Sequence, residues 1–60
     1  MTDQKRMEIV KALAYGETPA AIAQVEGVSV YDVEAIAQQD AQAVTERRQA
    51  LKEAGYLEGD

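Results

Sequence analysis

Apolar residues along this chain return at steps of three and four, and the alternation of a half-buried strand is absent. Met7, Val10, Leu13 and Ala14 share one face at those steps, which predicts a first helix over Asp3 to Tyr15. Gly16 stands where a helix commonly needs a left-handed residue to stop. Thr18-Pro19 opens a second helix, over 18–26. The threonine hydroxyl suits the cap, and proline suits the first helical position because its missing N–H would be unpaired there anyway. Ile22, Ala23 and Val25 follow, and Gly27 closes this helix after barely two turns. A third helix begins at Ser29, with Asp32 three residues on to reach back to the serine amide. Val30, Val33, Ile36 and Ala37 supply its apolar face.

Beyond Ala37 no glycine or proline appears until Gly55. Val30, Ala37, Val44 and Leu51 recur every seven residues. The absence of a breaker favours one unbroken third helix over 29–54. The alternative is a bend near Gln39-Asp40, with Asp40 capping a fourth helix that folds back on the first. An unbroken rod of about 25 residues would be ~38 Å long, more than so small a core can cover. Val44 and Leu51 would lie bare, which predicts self-association through them as a homodimer. A monomer is expected instead if Tyr56 and Leu57 turn back after Gly55 to pack over Leu51.

The fold class is therefore all-α. Sixty residues make a single domain, here residues 1–60. A chain this short buries only about 60% of the surface it exposes when unfolded, so its stability is thin. Without cysteine there is no disulfide, and without histidine or cysteine the usual zinc sets are excluded. No apolar run approaches the ~18 residues that cross a membrane. The segment Met1 to Met7 lacks an apolar signal core, so a cytoplasmic location is the expectation.

Charge changes the picture more. The chain carries 6 bases against 11 acids, a net −5, and distributes them unevenly. Residues 1–16 hold Lys5, Arg6 and Lys11 against Asp3 and Glu8. Residues 17–44 hold Glu17, Glu26, Asp32, Glu34 and Asp40 with no base. Residues 45–60 hold Arg47, Arg48 and Lys52 against four acids. Phosphate repels the middle of such a chain more than its ends.

The stretch over 18–37, with its "GVSVYDV" at 27–33, resembles the helix-turn-helix of bacterial and phage regulators, resolvases and transposase amino-terminal domains, whose phrase is "GVSxxTV". In that reading residues 18–38 are the helix-turn-helix unit and 39–57 a helical extension. Ala23 is small where two helices approach, and Gly27 permits a positive φ in the turn. Ile22, Val28, Val33 and Ile36 point into the core. The resemblance implies double-stranded DNA as partner, in transcriptional regulation or mobile-element DNA handling. It turns Ser29, Val30, Tyr31, Glu34, Ala35 and Gln38 outward. Of these, Ser29, Tyr31, Glu34 and Gln38 become the base contacts: Gln38 suits adenine, Glu34 suits cytosine N4 and Tyr31 a base edge. Phosphate contacts fall to Lys5, Arg6, Lys11, Arg47 and Arg48, provided the fold gathers them on one side. Two departures stand out. Glu26 replaces an apolar residue, whose packing Val25 would take over. The outward face of the third helix carries acids where the family commonly carries arginine or lysine.

Other uses of these residues are weighed against that one. Asp32 and Glu34 lie two apart on a helix and diverge, a poor acid–base dyad. Asp40 and Glu46 read as solvated charges. With no histidine base, cysteine nucleophile or phosphate-cradling loop, neither an enzyme nor a cofactor is expected. Tyr15 and Tyr56 are expected half-buried at helix ends and Tyr31 exposed. The rival reading is an acidic helical interaction module, docking a basic partner or mimicking DNA, since fold does not fix function.

Overall fold

The computed structural model describes residues 1–57 of the chain and is all-helical, with no strand among them. Four helices follow one another: α1 over Asp3–Tyr15, α2 over Pro19–Glu26, α3 over Val30–Gln39 and α4 over Ala41–Glu53.

The helix ends are set by local chemistry. Thr2 caps α1, its hydroxyl accepting from the Lys5 amide at 3.1 Å. Gly16 ends α1 at φ 94°, where its amide donates to Leu13 and the Glu17 amide to Ala12. Those two bonds satisfy carbonyls the helix itself leaves open. The Thr18 hydroxyl accepts from the Ala21 amide at 3.2 Å and starts α2. Gly27 ends it at φ 70°, and the amides of Gly27 and Val28 both donate to the Ala23 carbonyl. At α3 the Ser29 hydroxyl accepts from the Asp32 amide at 3.0 Å, while the Asp32 carboxylate accepts from the Ser29 amide at 3.4 Å.

The core joins three of the helices. Ile9 of α1, Ile22 of α2 and Val33 of α3 are its largest fully enclosed side chains, with Ala23 and Ile36 beside them. Each such aliphatic side chain contributes roughly 1.5–3 kcal/mol by leaving water. The buried stripe of α1 differs from the predicted one. Ile9 holds its centre, while Met7 is 61% exposed. Of the predicted face, Ala14 is fully buried and Val10 and Leu13 pack partly buried against the core, so only Met7 falls outside it and Ile9 is the residue that spacing left out.

The expected unbroken helix over 29–54 is replaced by two helices. α3 ends at Gln39, Asp40 adopts φ −111° and ψ 29°, and α4 returns along α1. No glycine or proline marks this joint. It is held by partners from α1: Arg6 Nε donates to Asp40 Oδ2 at 2.7 Å and Arg6 Nη2 to Gln39 Oε1 at 2.9 Å. Farther along, Arg48 Nη2 donates to the Leu13 carbonyl at 3.2 Å. Folding back also leaves Val44 and Leu51 half-buried rather than bare. Tertiary burial thus outweighs the few helical hydrogen bonds lost at one residue. The molecule measures 30 × 18 × 18 Å, shorter than the expected rod.

After α4 the chain turns at Gly55, φ 87°, and the Tyr56 amide donates to the Leu51 carbonyl at 2.9 Å. Leu57 is half-buried. Tyr15 and Tyr56 are both exposed, against expectation. α1 packs against every other helix, whereas α2 and α4 do not meet.

Candidate functional site

Two surfaces stand out, and they lie on different helices. The first is the outward side of α3. Val33 and Ile36 turn inward and are buried, so Tyr31, Glu34, Ala35 and Gln38 face water. Tyr31 is 82% exposed. Ser29 and Val30 are exposed at the amino end of α3, where the Ser29 hydroxyl also serves as its cap.

Beside this face the sequence misassigns one packing role. Val25 does not substitute for Glu26: it is 78% exposed, and the Glu26 side chain is the one tucked in, at 16%. Lys5 explains the reversal. Its ammonium donates to the Glu26 carbonyl at 2.9 Å and lies 3.6 Å from the Glu26 carboxylate. One cation thereby satisfies both an open carbonyl in the last turn of α2 and a shielded acid.

Of the basic residues expected on phosphate, three are engaged within the chain, although Arg6 does reach the carboxyl end of α3. Lys5 is engaged by Glu26, Arg6 by Asp40 and Gln39, and Arg48 by the Leu13 carbonyl. The pKa of Arg6 is raised above its ordinary value, first by the hydrogen bond to Asp40 and then by the charge of that carboxylate. Asp40, expected as a helix cap or a solvated charge, makes no side-chain cap and serves as the partner of Arg6. Lys11 and Arg47 make no hydrogen bond or ion pair with the described residues through their side chains.

Lys11 and Arg47 belong instead to the second surface, an open groove of about 540 Å³ between α1 and α4. Met7 and Val10 line it from α1, Ala43 and Ala50 from α4. Arg6 and Asp40 close one end, and Glu46 stands on the rim, where Gln42 Nε2 donates to it at 3.2 Å. No residue of α2, and none of the outward side of α3, reaches this groove. The outward residues of α3 and the pair Lys11 and Arg47 thus line different surfaces. Neither surface holds three grouped acids that would suit a metal ion among the described residues.

The sequence reading missed the groove, the Lys5–Glu26 contact and the Arg6–Asp40 latch. An acid at 26 in an otherwise apolar slot was the available signal for a cation opposite it.

Compared with known proteins, the chain matches no family model, and no curated protein or solved structure is significantly similar to it.

Proposed function

We propose that the chain is a helix-turn-helix module that presents the outward side of α3 to a basic segment of a protein partner, rather than to DNA. The observation that carries this reading is the placement of the bases. Three of the five residues expected on phosphate are engaged within the chain, by Glu26, by Asp40 with Gln39, and by the Leu13 carbonyl. The other two line the groove between α1 and α4. The α3 face meanwhile offers Tyr31, Glu34 and Gln38 with no base among them. Phosphate contacts supply most non-specific DNA affinity, so a face without them is poorly equipped for a polyanion. A basic segment finds a carboxylate at Glu34, an aromatic ring at Tyr31 for a cation to stack on, and an exposed apolar neighbour in Val25. The reading needs no second copy, because Val44 and Leu51 are half-buried within one chain.

DNA binding in bacterial or phage gene regulation is the second reading. It is favoured by the left-handed Gly27 and the reciprocal Ser29–Asp32 cap, which set α3 off from α2 as a recognition helix requires. A cytoplasmic setting goes with either.

Fluorescence anisotropy separates the two. With random duplex DNA at about 50 mM salt, no binding is expected; a steep log-linear loss with salt, flattened by Arg47→Ala with Arg48→Ala, overturns the docking reading. With a synthetic arginine-rich peptide, binding is expected and is weakened by Tyr31→Ala and by Glu34→Lys. Failure of the unaltered chain to bind that peptide also counts against it.

A further inference from the structure

The α1–α4 groove has a chemistry opposite to that of the rest of the molecule. The chain is −5 overall, yet three of its six bases, Arg6, Lys11 and Arg47, line this one trough against two acids. Both acids are engaged: Asp40 accepts from Arg6 and Glu46 from Gln42. Arg6 balances Asp40, but Gln42 is neutral, so Glu46 still offsets one of Lys11 and Arg47; the trough is left at +1, with one of these bases on each wall. Between them the lining is apolar, with Met7 61% exposed and Val10 half-buried. Methionine is suited to such a surface because its unbranched chain and polarizable sulfur adapt to varied apolar shapes. The α4 wall is low, because Ala43 and Ala50, seven residues apart, present only methyl groups.

We propose that this trough is a docking site for an acidic amphipathic helix of a partner protein. The length fits. Along α4 it runs from Asp40 to Ala50, about 15 Å at 1.5 Å per residue, which accommodates two to three turns of a second helix. An open trough of this extent suits a helix laying down one apolar stripe more than a small molecule, which needs to be enclosed. The apolar stripe of the partner covers Met7, Val10, Ala43 and Ala50, and acids on its two edges meet Lys11 and Arg47. Helices approach closely only where side chains are small, and the two alanines meet that requirement. This site is separate from the α3 face, so the chain would join an acidic helix on one side to a basic segment on the other.

The test is a titration of the isotope-labelled chain, followed by amide and methyl chemical shifts. The probe is a synthetic peptide of about 20 residues, beyond the ~12–15 at which an isolated helix is marginal, with leucines at helical spacing and glutamates on both flanks. Saturating shifts at Met7, Val10, Ala43 and Ala50 are expected. Lys11→Glu with Arg47→Glu is expected to weaken binding at least about tenfold, since like charges across an interface oppose it. Both side chains are exposed and make no hydrogen bond or ion pair among the described residues, so circular dichroism of that variant is expected unchanged. Glu34→Lys on α3 is expected to leave this binding intact, which separates failure here from failure of the α3 reading. The proposal is overturned by shifts confined to α3, by equal affinity in the charge-reversed variant, by binding of a lysine-flanked version of the peptide, or by saturation with octanoate and not with the peptide.

Discussion

Arg6 and Asp40 meet at 2.7 Å across 34 positions of sequence, and their contact sits where α3 gives way to α4. The same guanidinium also reaches Gln39, so one side chain of α1 holds the last residue of α3 and the residue after it.

Removing that side chain is expected to loosen the joint. Arg6→Ala should lower Tm by a few degrees and speed amide exchange in α4, and Arg47→Ala should do neither. The pair is partly exposed, so the effect shrinks at high salt. Its pH dependence follows from the raised pKa of Arg6. A raised folded-state pKa stabilises fully below the unfolded value and is lost only as pH climbs through the folded one. For arginine both lie at strongly alkaline pH, so titration of Arg6 makes no difference between pH 6 and pH 9. Thermal melts of Arg6→Gln against the unaltered chain across that range check the point.

Gly27→Ala isolates a conformational penalty. A Cβ added there meets nothing within 4 Å, so crowding is not the obstacle, and the obstacle is φ +70°. The expected loss is about 1–2 kcal/mol, the left-handed penalty of an ordinary residue. Gly27→Asn should lose less, because asparagine visits that region more readily. In urea denaturation the midpoint should fall with the slope unchanged.

The correction on α1 gives a paired test. Ile9 is fully buried, so Ile9→Ala should cost about 2–5 kcal/mol. A chain of 60 residues has only about 3–9 kcal/mol in all, so the urea midpoint of this variant, followed by circular dichroism, should fall by a large fraction. Met7→Ala, at an exposed position, should stay within about 0.5 kcal/mol. Reversal of that order would return Met7 to the core.

Association is checked by sedimentation equilibrium. With Val44 and Leu51 half-buried inside one chain, the mass of a single chain is expected up to high concentration. A dimer would point instead to α3 and α4 merging into the rod that the sequence suggests.

The parts of this fold legible in the sequence are those whose causes lie within a turn of chain. Gly16, Thr18-Pro19, Gly27 and the Ser29–Asp32 pair act on neighbours three or four residues away, and the ends of α1, α2 and the start of α3 follow from them. The outward side of α3 was legible too, because burial of Val33 and Ile36 leaves Tyr31, Glu34 and Gln38 the opposite direction. The joint at Asp40 was not, because its partner lies on α1 and nothing nearby breaks the helix. The fate of the bases was hidden for the same reason. Lys5 finds Glu26 at 21 positions and Arg48 finds the Leu13 carbonyl at 35, and no spacing rule reaches that far.

The lack of any contact between α2 and α4 has a mechanical result. α2 is anchored by Ile22 and Ala23 alone among its buried residues, so a load applied at Val25 is borne by α1 and α3. The trough wall formed by α4 feels none of it directly. α1, which packs against all three other helices and lines the trough, is then the element through which the two proposed docking faces would feel one another.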